Sequence, residues 1–205
     1  MKDSQDWEQR YQATDRLFED KASDLLLSHQ SLLQPGMQVL AIGDGEGRNG
    51  VWLAEQGLDV LSVDISPTAL ARAQDRARQQ GVKLRTRCMD ILNWDWPVNA
   101  FDLITCIFVH LPSPARHRLH GHLHRALKPQ GIVMIEGFHQ QQLQRDSGGP
   151  RDADLLYDED SLRQDFPDYE ILLLDRRETE VRLAGQCQGN GCVMHFIARS
   201  PATGS

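Results

Sequence analysis

The sequence predicts an α/β protein with a mostly parallel sheet, helices on both faces and a closing antiparallel hairpin. Three observations predict it. Short apolar runs alternate with longer amphipathic ones along most of the chain, which is the pattern of βα units. The first apolar run, Val39-Leu40-Ala41-Ile42, opens directly into a glycine-rich turn from Gly43 to Gly47. The last two β-rich runs, 169–183 and 193–199, are joined only by residues 185–191, which include three glycines.

Residues 6–33 read as helical. Trp7 and Tyr11 are four apart, as are Phe18 and Ala22, and Leu25, Leu26, Leu32 and Leu33 follow at helical intervals. Pro35-Gly36 ends this segment and the first strand follows. Helix resumes after the glycine turn with Val51, Trp52, Leu53 and Ala54, and stops at Gly57. Val60 to Val63 form the second strand, ending at Asp64. Ser66-Pro67 starts the next helix with a Ser cap and a Pro at the first helical position, where its missing N–H costs nothing. Leu70, Ala73 and Ala77 face the sheet and Gly81 is the stop. Residues 84–88 make a third strand. Residues 101–109 make a fourth, apolar enough to be central. Ala115 to Leu127 is a helix buried through Leu119, Leu123 and Leu127, and Lys128-Pro129-Gln130-Gly131 turns the chain into a fifth strand at 132–135. Residues 139–160 read as a long loop with a short helix, and the chain frays from Ser200. The organisation expected is an N-terminal helical cap (1–35), one main domain (36–199) and a disordered tail (200–205).

Composition narrows the function. The chain has 205 residues, 40% of them hydrophobic, which is enough for one core. No apolar run reaches the roughly 18 residues of a membrane span, and Met1 to Arg10 lack the features of a secretion signal, so a cytoplasmic protein is expected. With 29 acidic against 22 basic side chains the net charge is -7, and the basic residues are scattered. Nucleic acid is therefore not the expected partner; a small molecule is. Cys88, Cys106, Cys187 and Cys192 form no CxxC, and four plain thiols are expected. No coiled coil or large apolar stripe is evident, which favours a monomer.

The turn Gly43-Asp44-Gly45-Glu46-Gly47-Arg48-Asn49 lets main chain approach a ligand closely, and the following helix aims its free N–H groups at it. About twenty residues on, Asp64 ends the second strand, where a carboxylate can accept both hydroxyls of an adenosine ribose. Strand, turn, helix, strand and acid in this order describe a nucleoside-containing cofactor. Residues 45–50 also satisfy GxGxxG, so a nicotinamide oxidoreductase is one alternative, and a silent cofactor-binding protein is another. Carboxylates at Asp44 and Glu46 suit a sulfonium or ammonium better than a pyrophosphate.

Residues 36–136 resemble the class I S-adenosylmethionine-dependent methyltransferases. The glycine turn is similar to that family's first motif, Val63-Asp64 to its second and Cys88-Met89-Asp90-Ile91 to its adenine-binding motif. Phe101-Asp102-Leu103-Ile104 and Leu127-Lys128-Pro129-Gln130-Gly131 are similar to the fourth-strand motif and to the turn before the fifth strand. The resemblance implies a Rossmann-like seven-stranded sheet of order 3-2-1-4-5-7-6, with S-adenosylmethionine as cofactor. It implies cofactor contacts at Gly43, Asp44, Gly45, Gly47, Arg48, Asn49, Asp64, Ile65, Met89, Asp90, Ile91 and Ile107. One departure is Ala41, where the family carries an acid that helps hold the methionine end; Asp44 is a candidate to replace it. His110-Leu111-Pro112, Glu136-Gly137-Phe138 and Gly148-Gly149-Pro150 with Asp154-Leu155-Leu156 resemble the branch related to tellurite-resistance methyltransferases.

Methyl transfer from a sulfonium is a direct displacement, so the protein mainly aligns the reactants, worth roughly 7–11 kcal/mol. A thiolate, selenide or reduced tellurium acceptor needs little base assistance, whereas oxygen or nitrogen acceptors need more. His110, ending the fourth strand, reads either as a base or substrate contact or as a polar residue opening a loop. Trp7 and Tyr11 read as a flap over the cofactor or as packing. His139 and Arg145, with the Gly148-Gly149-Pro150 loop, are acceptor-pocket candidates by chain position. His117, His120 and His124 share a helix face at i, i+3 and i+7. Arg118 and His122 interleave and no Cys or acid is near in sequence, so a solvated face is expected and no metal. Arg176, Arg177 and Arg182 alternate with Glu178 and Glu180 as a wet strand face or an oxyanion contact.

Overall fold

The computed structural model describes residues 4–17, 20–183 and 187–202. Along the chain run helices α1 (Ser4–Gln12) and α2 (Asp24–Ser28), strand β1 (Gln38–Ile42), α3 (Arg48–Glu55), β2 (Asp59–Asp64), α4 (Pro67–Gln79) and β3 (Arg85–Cys88). They continue with β4 (Phe101–Ile107), α5 (Ser113–Ala126), β5 (Leu127–Phe138), α6 (Glu159–Asp165), β6 (Glu170–Leu183) and β7 (Cys187–Arg199). The seven strands form one sheet of order β3-β2-β1-β4-β5-β7-β6. The first five pair in parallel, and β7 is antiparallel to both β5 and β6. This is the architecture and order expected.

Side-chain alternation across the sheet divides the core in two. On one face Leu25 and Leu26 of α2 and Leu53 of α3 pack with Val39, Ala41, Leu103, Met134 and Ile197. On the other, Leu119 and Leu123 of α5, Leu162 of α6 and Phe166 just after it pack with Leu40, Ile104, Ile135 and Phe196. Each fully buried Leu or Phe contributes about 1.5–3 kcal/mol, and β4, buried at every position but Asp102, is shared by both faces. The Ser66 cap is as expected: its hydroxyl accepts from Ala69 N at 3.0 Å, with Pro67 at the helix start.

Five expectations need correction. The helix read over 6–33 is broken: α1 ends at Gln12, α2 starts at Asp24, and Gln30–Leu32 is a 3-10 turn. The Ser23 hydroxyl caps α2, accepting from Leu25 N at 3.1 Å, and local capping overrides apolar spacing. Phe18 lies outside the described residues. The strand run at 132–135 begins earlier, at Leu127, because the Lys128–Gly131 turn is carried inside β5 as an irregularity opposite Phe101 and Leu103. The closing hairpin is longer than read: β6 and β7 stay paired to Leu183 and Cys187. Residues 139–160 hold two 3-10 turns, Gln140–Gln144 and Ala153–Leu155, before α6, and are pinned by buried Leu156 and Tyr157. Ser200 is buried, with its N–H on Gly131 O and its hydroxyl on Lys128 O, both at 2.8 Å; those bonds hold the chain that was expected to fray there. Residues 203–205 lie outside the described residues.

The histidine face of α5 also differs. His120 is 1% exposed, and Asp165 of α6 accepts from both His120 Nδ1 at 2.6 Å and His117 Nδ1 at 2.7 Å. His124 Nε2 meets the Asp165 carbonyl at 2.7 Å. The acid absent from the neighbouring sequence arrives from α6: His120 is buried against it, whereas His117 stays exposed as expected of a solvated face.

Candidate cofactor site

Residues at the carboxyl ends of β1, β2 and β3 build the site. Gly43, Gly45 and Gly47 have φ of +59°, +56° and +78°, a left-handed series open to glycine at little cost. It brings the main chain over the strand ends and delivers it to the start of α3. Close approach is also required: a Cβ on Gly45 would collide with the Tyr11 hydroxyl, and one on Gly43 would lie 2.6 Å from Val109 Cγ2.

Asp64 is 8% exposed. Its two oxygens accept from Gly45 N and Ser66 N, each at 2.9 Å, so the carboxylate is fixed to both the glycine turn and the α4 cap. Burial raises its pKa, opposed by those backbone hydrogen bonds. Each oxygen keeps a lone pair for a ligand hydroxyl. The strand register sets Asp64 beside Cys88, and Met89 N donates to Asp64 O at 2.9 Å. Met89, Asp90 and Ile91 thus stand next to Asp64 with Ile65. Asp90 is held by its own turn, accepting from Leu92 N at 2.9 Å and Asn93 Nδ2 at 2.6 Å.

The two carboxylates of the loop itself, Asp44 and Glu46, are each bonded within the protein. Asp44 accepts from Ser62 Oγ at 2.7 Å and from Gly50 N at 3.1 Å. Burial pushes its carboxyl up to about 6 against the pull of those bonds. Glu46 accepts from Leu17 N at 2.9 Å and pairs with Arg72 Nη1 at 2.8 Å, tying the N-terminal segment and α4 to the turn. Arg48 Nη1 donates to Lys21 O at 3.1 Å, and Asn49 Oδ1 accepts from Ser23 N at 2.9 Å. Helix α1 lies across the same turn. Its Glu8 accepts from Ser66 Oγ at 2.6 Å, and Arg72 Nη2 donates to Tyr11 O at 2.9 Å. Tyr11 is buried, with the Trp7 ring 6.2 Å away and Arg10 over that ring.

The acceptor-side candidates do not gather into one pocket. His110 Nδ1 meets Leu155 O at 2.8 Å, and its Nε2 accepts from Phe138 N at 3.4 Å. Burial pulls its pKa down to about 4, the Leu155 bond acting the other way. The imidazole is neutral and both nitrogens are committed to backbone, which makes it a latch between β5 and the 153–155 turn. His139 bonds Gln141 N at 3.0 Å through Nδ1 and Glu159 at 3.1 Å through Nε2. Arg145 pairs with Glu178 on β6, and Trp7 and Tyr11 lie at the glycine turn instead. A cleft of about 450 Å³ between α5 and α6, lined by Arg116, His117, Asp154 and Asp165, contains no residue of the glycine turn.

Sequence reasoning missed three features of this edge. Phe108, after Ile107 of β4, has φ +56°, a conformation costing a bulky residue roughly 1–2 kcal/mol. It is held there by its N–H on Glu136 O at 2.6 Å and by Phe138 at 5.1 Å between rings. No sequence signal announces it. Glu136 and His195 lie buried and adjacent on β5 and β7, and the Ser23 hydroxyl donates to Glu136. Here a signal exists: Glu136 is a charge ending an apolar strand and preceding Gly137, as Asp64 ends β2.

A left-handed glycine turn into a helix, an acid ending β2 and a sheet closed by an antiparallel seventh strand together define the class I methyltransferase fold. Comparison with known proteins agrees. Residues 39–131 match a methyltransferase domain family. A ubiquinone biosynthesis O-methyltransferase of Coxiella burnetii is 34% identical over 89 residues, covering 42% of this chain and 38% of that one; the chain thus spans well under half that relative's length. A solved S-adenosylmethionine-dependent methyltransferase of Methanosarcina mazei superposes with TM-score 0.72 at 19% identity, covering 89% of this chain and all of the other. TehB of Haemophilus influenzae superposes with TM-score 0.71 at 19% identity, covering 85% and 61%.

Proposed function

We propose that the protein is an S-adenosylmethionine-dependent methyltransferase acting on a small, soft nucleophile, in the manner of the tellurite-resistance branch its motifs resemble. The observation that carries the cofactor reading is Asp64, fixed at the end of β2 against Gly45 and Ser66. When bound, the cofactor supplies a sulfonium-activated methyl group. Asp64 would receive the ribose hydroxyls, and Met89, Asp90 and Ile91, beside Ile65, would flank the base. The glycine turn and the start of α3 admit the ligand close to the backbone. Ile107 and the strained Phe108, backed by Phe138, would wall the reacting end against water.

The acceptor reading is carried by the branch motifs, and the state of His110 agrees with it. A neutral imidazole with both nitrogens on backbone atoms is not placed to serve as the base that an oxygen or nitrogen acceptor would more often need, which is compatible with a soft acceptor. Calorimetry with S-adenosylmethionine, S-adenosylhomocysteine and NADH tests the cofactor; binding of NADH alone overturns it. Turnover to S-adenosylhomocysteine over thiols, selenite and tellurite with a reductant, beside phenol and amine controls, tests the acceptor. Turnover confined to the phenols or amines overturns the soft-nucleophile reading. No turnover with any acceptor, despite cofactor binding, is the result of a catalytically silent protein.

A further inference from the structure

We propose that Glu136, set by Ser23 and His195, receives the α-ammonium of the cofactor's amino-acid end. This rests on the cofactor reading above and goes beyond it by naming the charge partner of the far end of the ligand. Among the described residues four carboxylates are buried: Asp44, Glu46, Asp64 and Glu136. The first three are turned to the β2–α4 side of the glycine turn, through Ser62, Arg72 and Ser66. Glu136 stands on the opposite side, at the carboxyl end of β5. Asp64 and Glu136 are separated by three strand spacings, from β2 through β1 and β4 to β5, or about 14 Å. A ribose carrying a short amino-acid tail bridges that gap with a hydrogen bond at each end.

Register and alternation fix the direction in which Glu136 points. Ile107, Glu136 and His195 form one row across β4, β5 and β7. They share the α3 face with Ala41, Thr105 and Met134, two residues earlier on their strands. Ala41 and Thr105 bring no charge to that face. The link to the turn is direct: Ser23 gives its hydroxyl to Glu136 and its N–H to Asn49 Oδ1, 2.9 Å away, in the first turn of α3. Glu136 is therefore beside the helix start that the glycine turn feeds.

A second observation points to a ligand. His195 is 2% exposed, and neither ring nitrogen has a hydrogen-bond partner. Its Nε2 lies 3.6 Å from Glu136 Oε1, longer than a hydrogen bond. Buried polar atoms are seldom left unpaired, because each loses its water without replacement. An ammonium drawn to Glu136, or the carboxylate beside it reaching His195, would supply the partner this buried pair lacks.

The test uses two ligands that differ only at that end, S-adenosylhomocysteine and 5′-methylthioadenosine, which keeps the nucleoside and thioether but has no amino acid. Glu136→Gln keeps an acceptor for the Ser23 hydroxyl and removes the charge. The expected result is an affinity for S-adenosylhomocysteine lowered about tenfold or more, with 5′-methylthioadenosine binding as to the unaltered protein. The second ligand thereby also checks the fold. Glu136→Asp, which restores charge one methylene short, is expected to fall between the two. Unchanged S-adenosylhomocysteine affinity, equal losses for both ligands, or an Asp variant no better than Gln would each overturn the assignment. Failure of the unaltered protein to bind either ligand is a distinct result and removes the cofactor reading itself.

Discussion

The two halves of the sheet's carboxyl edge solve different problems. Over β1, β2 and β3 the site is main chain: three left-handed glycines, a helix start and one carboxylate pinned by two backbone N–H groups. Over β4 and β5 it is side chains: Phe108, His110 and Phe138 against one another, with Glu136 and His195 beneath. A backbone-built site depends on local sequence, because φ, caps and strand ends are local properties. A packed one depends on contacts between residues far apart in the chain. The first half accordingly tolerates almost no change at its glycines, and the second tolerates substitution at a cost set by packing.

The largest expected effect breaks the backbone half. Gly45→Val places a Cβ where the Tyr11 hydroxyl lies, at φ +56°, and β-branched residues pay most in that region. Loss of measurable cofactor binding by calorimetry is expected, with a stability loss of about 2–4 kcal/mol by denaturant titration. Binding within threefold of the unaltered protein would show that the turn is not the site.

Next comes the packed half, through pH. The His110 value of about 4 lies below the ordinary 6.5. The neutral ring is the folded one, so its contribution is complete above pH 6.5 and is lost as pH falls toward 4. The expected loss is up to roughly 3 kcal/mol, read as a falling midpoint in urea, and His110→Phe should flatten that limb. Equal slopes for both proteins would remove the latch.

A third test stays away from both edges. Asp165→Ala leaves His117 and buried His120 without their acceptor, at a cost of about 1–3 kcal/mol. Cofactor affinity should not move, because the α5–α6 seam shares no residue with the glycine turn. The smallest effect is expected at Arg145→Ala. Its partner Glu178 is exposed, so stability should change by less than about 1 kcal/mol with unaltered cofactor binding. A raised KM for the acceptor alone would place the 145–150 loop over the acceptor.

What was legible in the sequence follows the same division. Strand order, the glycine turn, Asp64 and the Ser66-Pro67 cap could be read because each is fixed by neighbours in sequence. The break in the N-terminal helix could not, since Ser23 competes as a cap and is held by Asn49 and Glu136 from distant strands and helices. Nor could the α5 histidines, whose partner Asp165 is more than forty residues away, or buried Ser200, anchored by Gly131 and Lys128. The tie of Asp44 to Ser62 on the adjacent strand likewise depends on a register that spacing alone does not reveal.

The central claim is that a ribose rests on Asp64, and calorimetric titration of S-adenosylhomocysteine into the unaltered protein and Asp64→Asn measures it. Asn keeps the size and one acceptor but loses the charge that would grip two hydroxyls. One site per chain is expected, with affinity about thirtyfold to hundredfold weaker in the variant and its midpoint in urea within about 1 kcal/mol of the unaltered protein. Equal affinity for the two proteins would contradict the claim, as would heat of binding from NADH and none from S-adenosylhomocysteine.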